Sequence, residues 1–519
     1  MKQFFIAAVL SASICGSAVS QGYKNPVIPG YHPDPSVCRV GDDFYLVNSS
    51  FCYFPGVPLF HSKDLINWEQ IGNVLDRENQ LPLSGTNFWT GIYAPTIRYH
   101  NGTFYMIVTN VNVTPGGNFL VYTEDINDKW SDPVFLKQGG IDPSLYFENG
   151  KTFMVSNPDD GIWLCEINPK TGEQLSESRN IWNGTGGRYP EAPHIYKKDG
   201  YYYLMLAEGG TEFGHKVTIA RSKNIYGPYE SNPANPILTN FCQAAQGRKI
   251  QGTGHADLVQ AQDGSWWMVC LAFRTQNGNF HNTGRETYLA PVSWPKNGWP
   301  VVNGNGTIDE NIVCPTLPLK PFEKKASNTV FNQKQFSPEW LFLRNPDMKN
   351  YVLDGKKLTL KASYQGLDCP ETISPTFIAL RQEHIDFTAT AVLETQNFSS
   401  GDEAGLTVFQ DQSSHYDIVL KDGSVSVRYK LRDLAAEKAS EKISAKKVYL
   451  RIEGTNEAYK FSYSLDNKTF KPLTQMSAVY LSTEVAGGFT GNVLGIFSGK
   501  KSQGSKAETI VEWFDYQGK

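Results

Sequence analysis

Five times between residues 41 and 268 the chain repeats one short plan, a glycine-bearing turn followed by a strand led by aromatic residues. The copies are Gly41-Asp42-Asp43-Phe44-Tyr45-Leu46-Val47, Asn101-Gly102-Thr103-Phe104-Tyr105-Met106, Asn149-Gly150-Lys151-Thr152-Phe153-Met154, Asp199-Gly200-Tyr201-Tyr202-Tyr203-Leu204 and Asp263-Gly264-Ser265-Trp266-Trp267-Met268. Asn-Gly and Asp-Gly pairs tolerate the positive φ that a tight hairpin demands. Several copies run on into a third strand and a similar turn, as in His61-Ser62-Lys63-Asp64-Leu65 and Arg221-Ser222-Lys223-Asn224-Ile225. Long helical periodicity is nearly absent from 25 to 320. All-β self-similarity at a spacing of roughly 50–60 residues indicates a propeller, and five copies indicate five blades. The high aromatic content, 13%, suits pleated sheets, with a few rings free to stack on sugar C–H faces.

Stepping back 11 residues from the first or second aromatic of each copy lands on Asp34, Ala94, Asp142, Glu191 and His255. These residues open similar strands, among them Asp34-Pro35-Ser36-Val37, Ala94-Pro95-Thr96-Ile97 and Asp142-Pro143-Ser144-Leu145. The first strand of each blade lines the central channel, so equivalent positions on five blades converge on the axis. An Asp before Pro is, alone, an ordinary turn residue. Three acids gathered at one point raise at least one pKa, an arrangement that benefits a protein when it is used. Glycosidic cleavage uses such a set: a protonated acid at the leaving oxygen and an ionised base that activates water.

The stretches His32-Pro33-Asp34-Pro35-Ser36, Gly140-Ile141-Asp142-Pro143-Ser144 and Tyr189-Pro190-Glu191-Ala192-Pro193-His194 closely resemble glycoside hydrolase family 43. So do Ser49-Ser50-Phe51, Gly252-Thr253-Gly254-His255 and Gly284-Arg285-Glu286-Thr287. The resemblance covers nearly the whole mature chain, in the branch holding β-xylosidases and α-L-arabinofuranosidases. It implies Asp34 as general base, Glu191 as general acid and Asp142 as the residue that tunes and orients Glu191. It further implies Arg285 as a sugar-binding group near the base, Phe51 and Ala94 as walls of the sugar pocket, and His255 at the channel floor. In some relatives a bound ion or ordered water lies beside that histidine, so a structural ion is an expectation here, with no required cofactor. The family usually carries Trp in place of Tyr93 and Gly in place of Ala192; the first change bears on the sugar pocket, the second on local packing. Glu208, Glu212 and His215 flank or occupy the Gly-rich loop 209–214, which reads first as solvated and second as a pocket rim.

Past Cys314-Pro315-Thr316-Leu317-Pro318 and a connector near 319–327, alternating runs such as Phe387–Glu394, Tyr416–Leu420 and Val448–Glu453, with the turn Asp422-Gly423, indicate an antiparallel sandwich over 328–519. The resemblance implies a lectin-like jelly roll whose loop Gly487-Gly488-Phe489-Thr490-Gly491 reaches the active-site mouth and places Phe489 there. The propeller is assigned 21–320. Residues 1–20 read as an export signal, with Lys2, an apolar run from Phe4 and a small-residue cleavage site at Ala18-Val19-Ser20, which directs the protein to the periplasm or the exterior. No later segment is apolar enough to span a membrane. A net charge of −4 without long basic runs argues against nucleic acid, and the resemblance implies a carbohydrate as the partner. The scattered, odd-numbered cysteines of the mature chain predict neither a disulfide framework nor a metal site. The function expected is an exo-acting, inverting hydrolase that releases terminal xylose or arabinofuranose. The competing readings are a non-catalytic carbohydrate-binding propeller and a retaining fructosyl-type hydrolase or transferase.

Overall fold

The computed structural model describes residues 22–111, 116–313, 317–323 and 328–519. The segment read as a leader and Cys314 lie outside the described residues. Five sheets, each made of strands consecutive in the chain, stand around one axis. The first comprises Ser36–Val40, Asp43–Val47, Gly56–Ser62 and Glu69–Leu75, and the fourth Glu191–Lys198, Tyr201–Glu208, Lys216–Ser222 and Glu230–Ser231. In the second blade the inner strand is broken into Gly91–Ile92 and Thr96–His100, both paired with Thr103–Val111. Inner strands of neighbouring blades lie against one another, and the first also meets the fifth, closing the ring. Closure is reinforced by the N-terminal strand Gly22–Lys24, which pairs with Asn311–Val313. The Asn25 side chain also bonds both backbone groups of Leu289 at 3.0 Å.

The turn chemistry read from the sequence is realised. Asn101-Gly102, Asn149-Gly150 and Asp199-Gly200 each hold two consecutive positive φ angles, between 47° and 83°. That pattern matches the twist of the strands they join.

Strand register corrects the 11-residue count. In the third blade Ile141 faces Asn157 and Ser144 faces Val155. In the fourth Glu191 faces Ala207 and His194 faces Met205. Glu191 is therefore the counterpart of Ile141, and Ala192 that of Asp142. The count started from Tyr202, whereas Tyr203 is the aromatic that matches Phe153. In the fifth blade Asp257 faces Val269, so His255 keeps its place, but the hairpin is one residue longer and the matching aromatic is Trp267. The symmetric axial layer is Asp34, Ala94, Asp142, Ala192 and His255. In blades three to five a β-bulge interrupts pairing here. Asp34, Asp142, Ala192 and His255 all take left-handed backbone, with φ from 44° to 55°. Bulges redirect a strand and re-aim its side chains. A glycine is at ease in this conformation and alanine is not. The family's glycine at position 192 thus answers a backbone demand, not the local packing expected from sequence.

Two residues further along each strand, on the same face, lie Ser36, Thr96, Ser144, His194 and Asp257. Arg98 joins them by a bidentate bond to Asp257 at 2.7 and 3.2 Å and a contact to His194 Nδ1 at 2.9 Å. Ser36 Oγ and Tyr196 Oη also donate to Asp257, at 2.7 and 2.6 Å. This polar plug links all five blades and floors the channel beneath the acids.

The C-terminal unit is a sandwich of two antiparallel-dominated sheets. One carries Phe387–Gln396, Lys447–Gly454 and Glu508–Gly518 at its centre, the other Glu403–Asp411, Ser414–Lys421 and Val493–Lys500. It docks on the propeller through the short pairing of Tyr53–Phe54 with Phe342–Leu343. An apolar cluster including Tyr31, Phe51, Tyr53, Phe377, Phe409 and Phe497 joins the two units. Each such buried side chain contributes about 1.5–3 kcal/mol. The six described cysteines are free thiols, five of them buried and Cys242 exposed.

Candidate active site

Asp34 is 4% exposed and fully engaged. Arg285 Nη1 donates to Oδ1 at 3.0 Å, Ser49 Oγ donates to Oδ2, and His255 Nδ1 stands 3.5 Å from Oδ1. Burial pushes its pKa up, but Arg285, His255 and the Ser49 hydroxyl together outweigh burial and hold it below the usual carboxylate range. Asp34 is an ionised carboxylate at working pH.

The other two acids are shifted the opposite way. Burial, then the neighbouring Glu191 and Asp34, push Asp142 well above the usual carboxylate range. The backbone N–H of Ala192 bonds the Asp142 carboxyl and opposes the rise, tying it to the residue beside Glu191. Glu191, partly exposed to the pocket, is raised to about 7, by burial first and then by Asp34. Asp142 and Glu191 therefore retain a proton under conditions where Asp34 has none. Environments that push carboxyls apart in this way divide acid from base.

The walls come from two domains. Phe51, with φ of 47°, is locked by reciprocal backbone bonds to Ile92 at 2.9 and 3.1 Å. Its ring lies 5.3 Å from Tyr93 and 5.8 Å from Phe489. Ala94 is buried between them and the axis, at the symmetric position already described. Tyr93 is half-buried, and its hydroxyl donates to Trp89 O at 2.6 Å. Burial, then Asp142, push that phenol up to about 12, so it remains a neutral donor. Phe489 enters from the sandwich and meets Trp89 edge-on at 4.9 Å. Arg285 lies beneath, with its guanidinium 5.7 Å from both the Phe51 and Phe489 rings. Arg285 also donates to Thr211 Oγ1 at 2.9 Å and Phe489 O at 3.2 Å. All nine sequence candidates therefore lie at this axial pocket or on its walls. Burial, partly opposed by Asp34, lowers the His255 pKa.

Sequence reasoning missed several supports. Ser49 carried no mark beyond its place in a quoted motif. The 209–214 loop is not simply solvated: Glu208 and His215 at its ends are fully buried. Glu208 accepts from Thr185 N and Oγ1, Gly187 N and Thr218 Oγ1 at 2.6–2.9 Å. It thereby holds the segment that leads to Glu191. His215, lowered to about 3 chiefly by burial, packs under Gly254, where any Cβ would come within 2.3 Å of its ring. Among the described residues no group of three or more His, Cys, Asp or Glu side chains is arranged to hold a metal.

Comparison with known proteins places this geometry. Residues 23–300 match the model of glycosyl hydrolases family 43, and residues 328–517 match a beta xylosidase C-terminal concanavalin A-like domain. The chain is 39% identical to a non-reducing end alpha-L-arabinofuranosidase of Bacteroides ovatus, with 96% of each chain covered. It is 37% identical to a xylosidase/arabinosidase of Butyrivibrio fibrisolvens, over 95% of this chain and 98% of that one. Among solved structures, a family 43 protein from Bacillus licheniformis superposes with a TM-score of 0.91 at 34% identity, covering 96% of this chain and all of the other. The chain thus belongs to glycosyl hydrolase family 43 and is a glycoside hydrolase.

Proposed function

We propose that the protein removes single terminal pentoses, α-L-arabinofuranose or β-D-xylose, from plant cell-wall oligosaccharides or polysaccharides with inversion at the anomeric carbon. The observation that carries this reading is the opposed protonation of the three acids in a walled pocket. Asp34, kept ionised by Arg285 and Ser49, takes a proton from water as that water attacks the anomeric carbon. Glu191, protonated up to about pH 7, delivers its proton to the departing glycosidic oxygen. Asp142 holds Glu191 in place through its bond to the neighbouring Ala192 N–H, while burial and Asp34 favour the protonated form of Glu191. Arg285 bonds the terminal sugar, and Phe51, Tyr93, Ala94 and Phe489 enclose it. Walls on so many sides favour a chain end over a chain interior, which supports exo-action. Relatives named for arabinofuranose and xylose release support the choice of pentose. A binding-only propeller would have no use for carboxyls held in opposite protonation states. Residues 1–20 support export, with maturation before Gln21; N-terminal sequencing of the secreted protein tests this.

The test of the chemistry is NMR of the first-formed sugar together with two variants. Inverted anomer is expected, with Asp34→Asn and Glu191→Gln each losing about 10²–10⁴-fold in kcat on pentosides with poor leaving groups. Retained configuration, or full activity in either variant, would overturn the assignment.

A further inference from the structure

Phe489 closes the pocket from another domain, and one side of it is not backed by packing. A cavity of about 210 Å³ lies there, bounded by Phe489 itself, Arg285, Trp89, Phe213, His281 and Glu484. Its ring meets Phe51, Trp89 and Tyr93 but borders this open space on another side, so the path of its backbone helps decide where it stands. That backbone is a strap, 482–492, running from a one-turn helix, Thr483–Ala486, to the strand Val493–Lys500.

The strap is fastened to the propeller segment 281–285, which also carries Arg285. At one end Thr483 N donates to His281 O at 3.1 Å. Glu484 receives two bonds in return, from His281 N at 2.9 Å to one carboxylate oxygen and from His281 Nδ1 at 2.6 Å to the other. The His281 ring is itself fixed by stacking on Phe273, with centroids 4.1 Å apart at 14°. At the other end Asn492 N donates to Asn282 O at 2.8 Å. Between the two, Arg285 Nη2 reaches Phe489 O. Gly491 permits the close approach, since a Cβ there would stand 2.5 Å from Thr283 O; Gly488 lies instead against Phe88, whose ring a Cβ would meet at 2.0 Å. The sandwich side holds the strap as well, through Gln410 Nε2 to Thr490 O at 3.2 Å and Arg432 to Ala486 O.

Glu484 is the one side-chain carboxylate in this fastening. Its side chain is only 26% exposed, and both of its oxygens are engaged by His281. We propose that Glu484, through its paired bonds to His281, is a positioning residue that sets where Phe489 and Arg285 stand in the catalytic pocket. The sandwich domain then takes part in the reaction through this latch. Released from His281, the strap can tilt and Phe489 can swing into the adjoining cavity. The pocket wall opens, and Arg285 loses its register against Asp34 and the sugar.

This inference rests on the reading of Phe489 and Arg285 as pocket residues, and the experiment separates the two. Glu484→Ala, Glu484→Gln, Phe489→Ala and the double variant Glu484→Ala/Phe489→Ala are compared on a nitrophenyl pentoside, with thermal melts alongside. Misplacement of a positioning group costs on the order of ten- to a hundredfold in kcat/KM, and that loss is expected for Glu484→Ala at an unchanged melting temperature. Glu484→Gln, which keeps shape and one acceptor, should recover part of it. The double variant should be no worse than the more impaired single variant, because both changes act on one wall. Wild-type kcat/KM in Glu484→Ala overturns the proposal, and so do losses that multiply in the double variant. Asp34→Asn and Glu191→Gln in the same series report on the underlying chemistry, since their inactivity stands whatever Glu484 does.

Discussion

Ser49 offers a sharp test of how the base is kept ionised. It is fully buried, and its hydroxyl donates to Asp34 Oδ2, while Arg285 serves Oδ1. Ser49→Ala deletes that bond and leaves Arg285 in place. A hydrogen bond to a charged group contributes about 1.5–3 kcal/mol. At 1.36 kcal/mol per pKa unit, the Asp34 pKa should rise by roughly one to two units. The direction follows from the wild-type balance, in which burial raises the pKa and Arg285, His255 and Ser49 together lower it below 3.8. Catalysis needs the ionised form, so activity is lost as pH falls through this pKa. The assay is kcat/KM across pH 3.5–7. The variant's acid limb should lie at higher pH than the wild type's by that shift, and the two profiles should meet toward neutrality. Stability follows the same sign. A depressed carboxylate pKa contributes stability that is present above the unfolded value and lost as pH falls through the folded one. The stability gap between wild type and variant should therefore be full at neutral pH and close as pH falls through the two folded-state values of Asp34. An acid limb that stays in place, or moves downward, would refute the account of Asp34 given above.

The alkaline limb tests the other pair. With Glu191 at about 7 and active when protonated, kcat/KM should fall as pH rises through neutrality. Asp142, itself protonated in that range, adds no charge beside Glu191, so Asp142→Asn should lower kcat by loosening the placement of Glu191 while leaving the limb in position; a limb that moves would overturn this account of the pair. The plug beneath the site is a matter of stability. Asp257→Asn, which leaves the half-buried Arg98 without its fully buried counter-charge, should cost about 3–5 kcal/mol in urea unfolding, and a loss below about 1 kcal/mol would show the network to be slack.

The blades were readable because their signals are local. Asn101-Gly102, Asn149-Gly150 and Asp199-Gly200 fix hairpins within four residues, and the aromatic strands follow at once. Asp34 and Asp142 were readable because Asp-Pro-Ser recurs at the entry of two blades. Contacts made only in the folded chain left no such trace. Ser49 meets Asp34 across a hairpin, Glu208 supports a loop more than twenty residues upstream, and His281 finds Glu484 across 203 residues. Nothing local distinguishes a serine that will face a carboxylate from one that will face water. The lesson is sharpest in blade four, where an offset that looked five-fold symmetric was one residue out of step. The symmetric position there is Ala192, and the acid stands just before it.

That asymmetry has a chemical use. Five equivalent side chains converge on one layer, which suits a base and its modulator. A direct attack by water, however, requires base and acid on opposite faces of the sugar, roughly 6.5–9.5 Å apart. Moving the acid one residue up its strand carries it about 3.3 Å along the axis, away from the polar plug and toward the mouth, where the leaving group departs. The backbone is bent for this purpose: Tyr189 and Ala192, on either side of Pro190-Glu191, both take left-handed conformations, with φ of 54° and 53°. Glu208 braces the segment from below. Non-glycine residues in that region cost on the order of 1–3 kcal/mol each and cluster where function depends on them. Asp34 and Asp142 keep the propeller's symmetry, and Glu191 departs from it by one residue, giving the proton donor a place of its own above the layer in which the base lies.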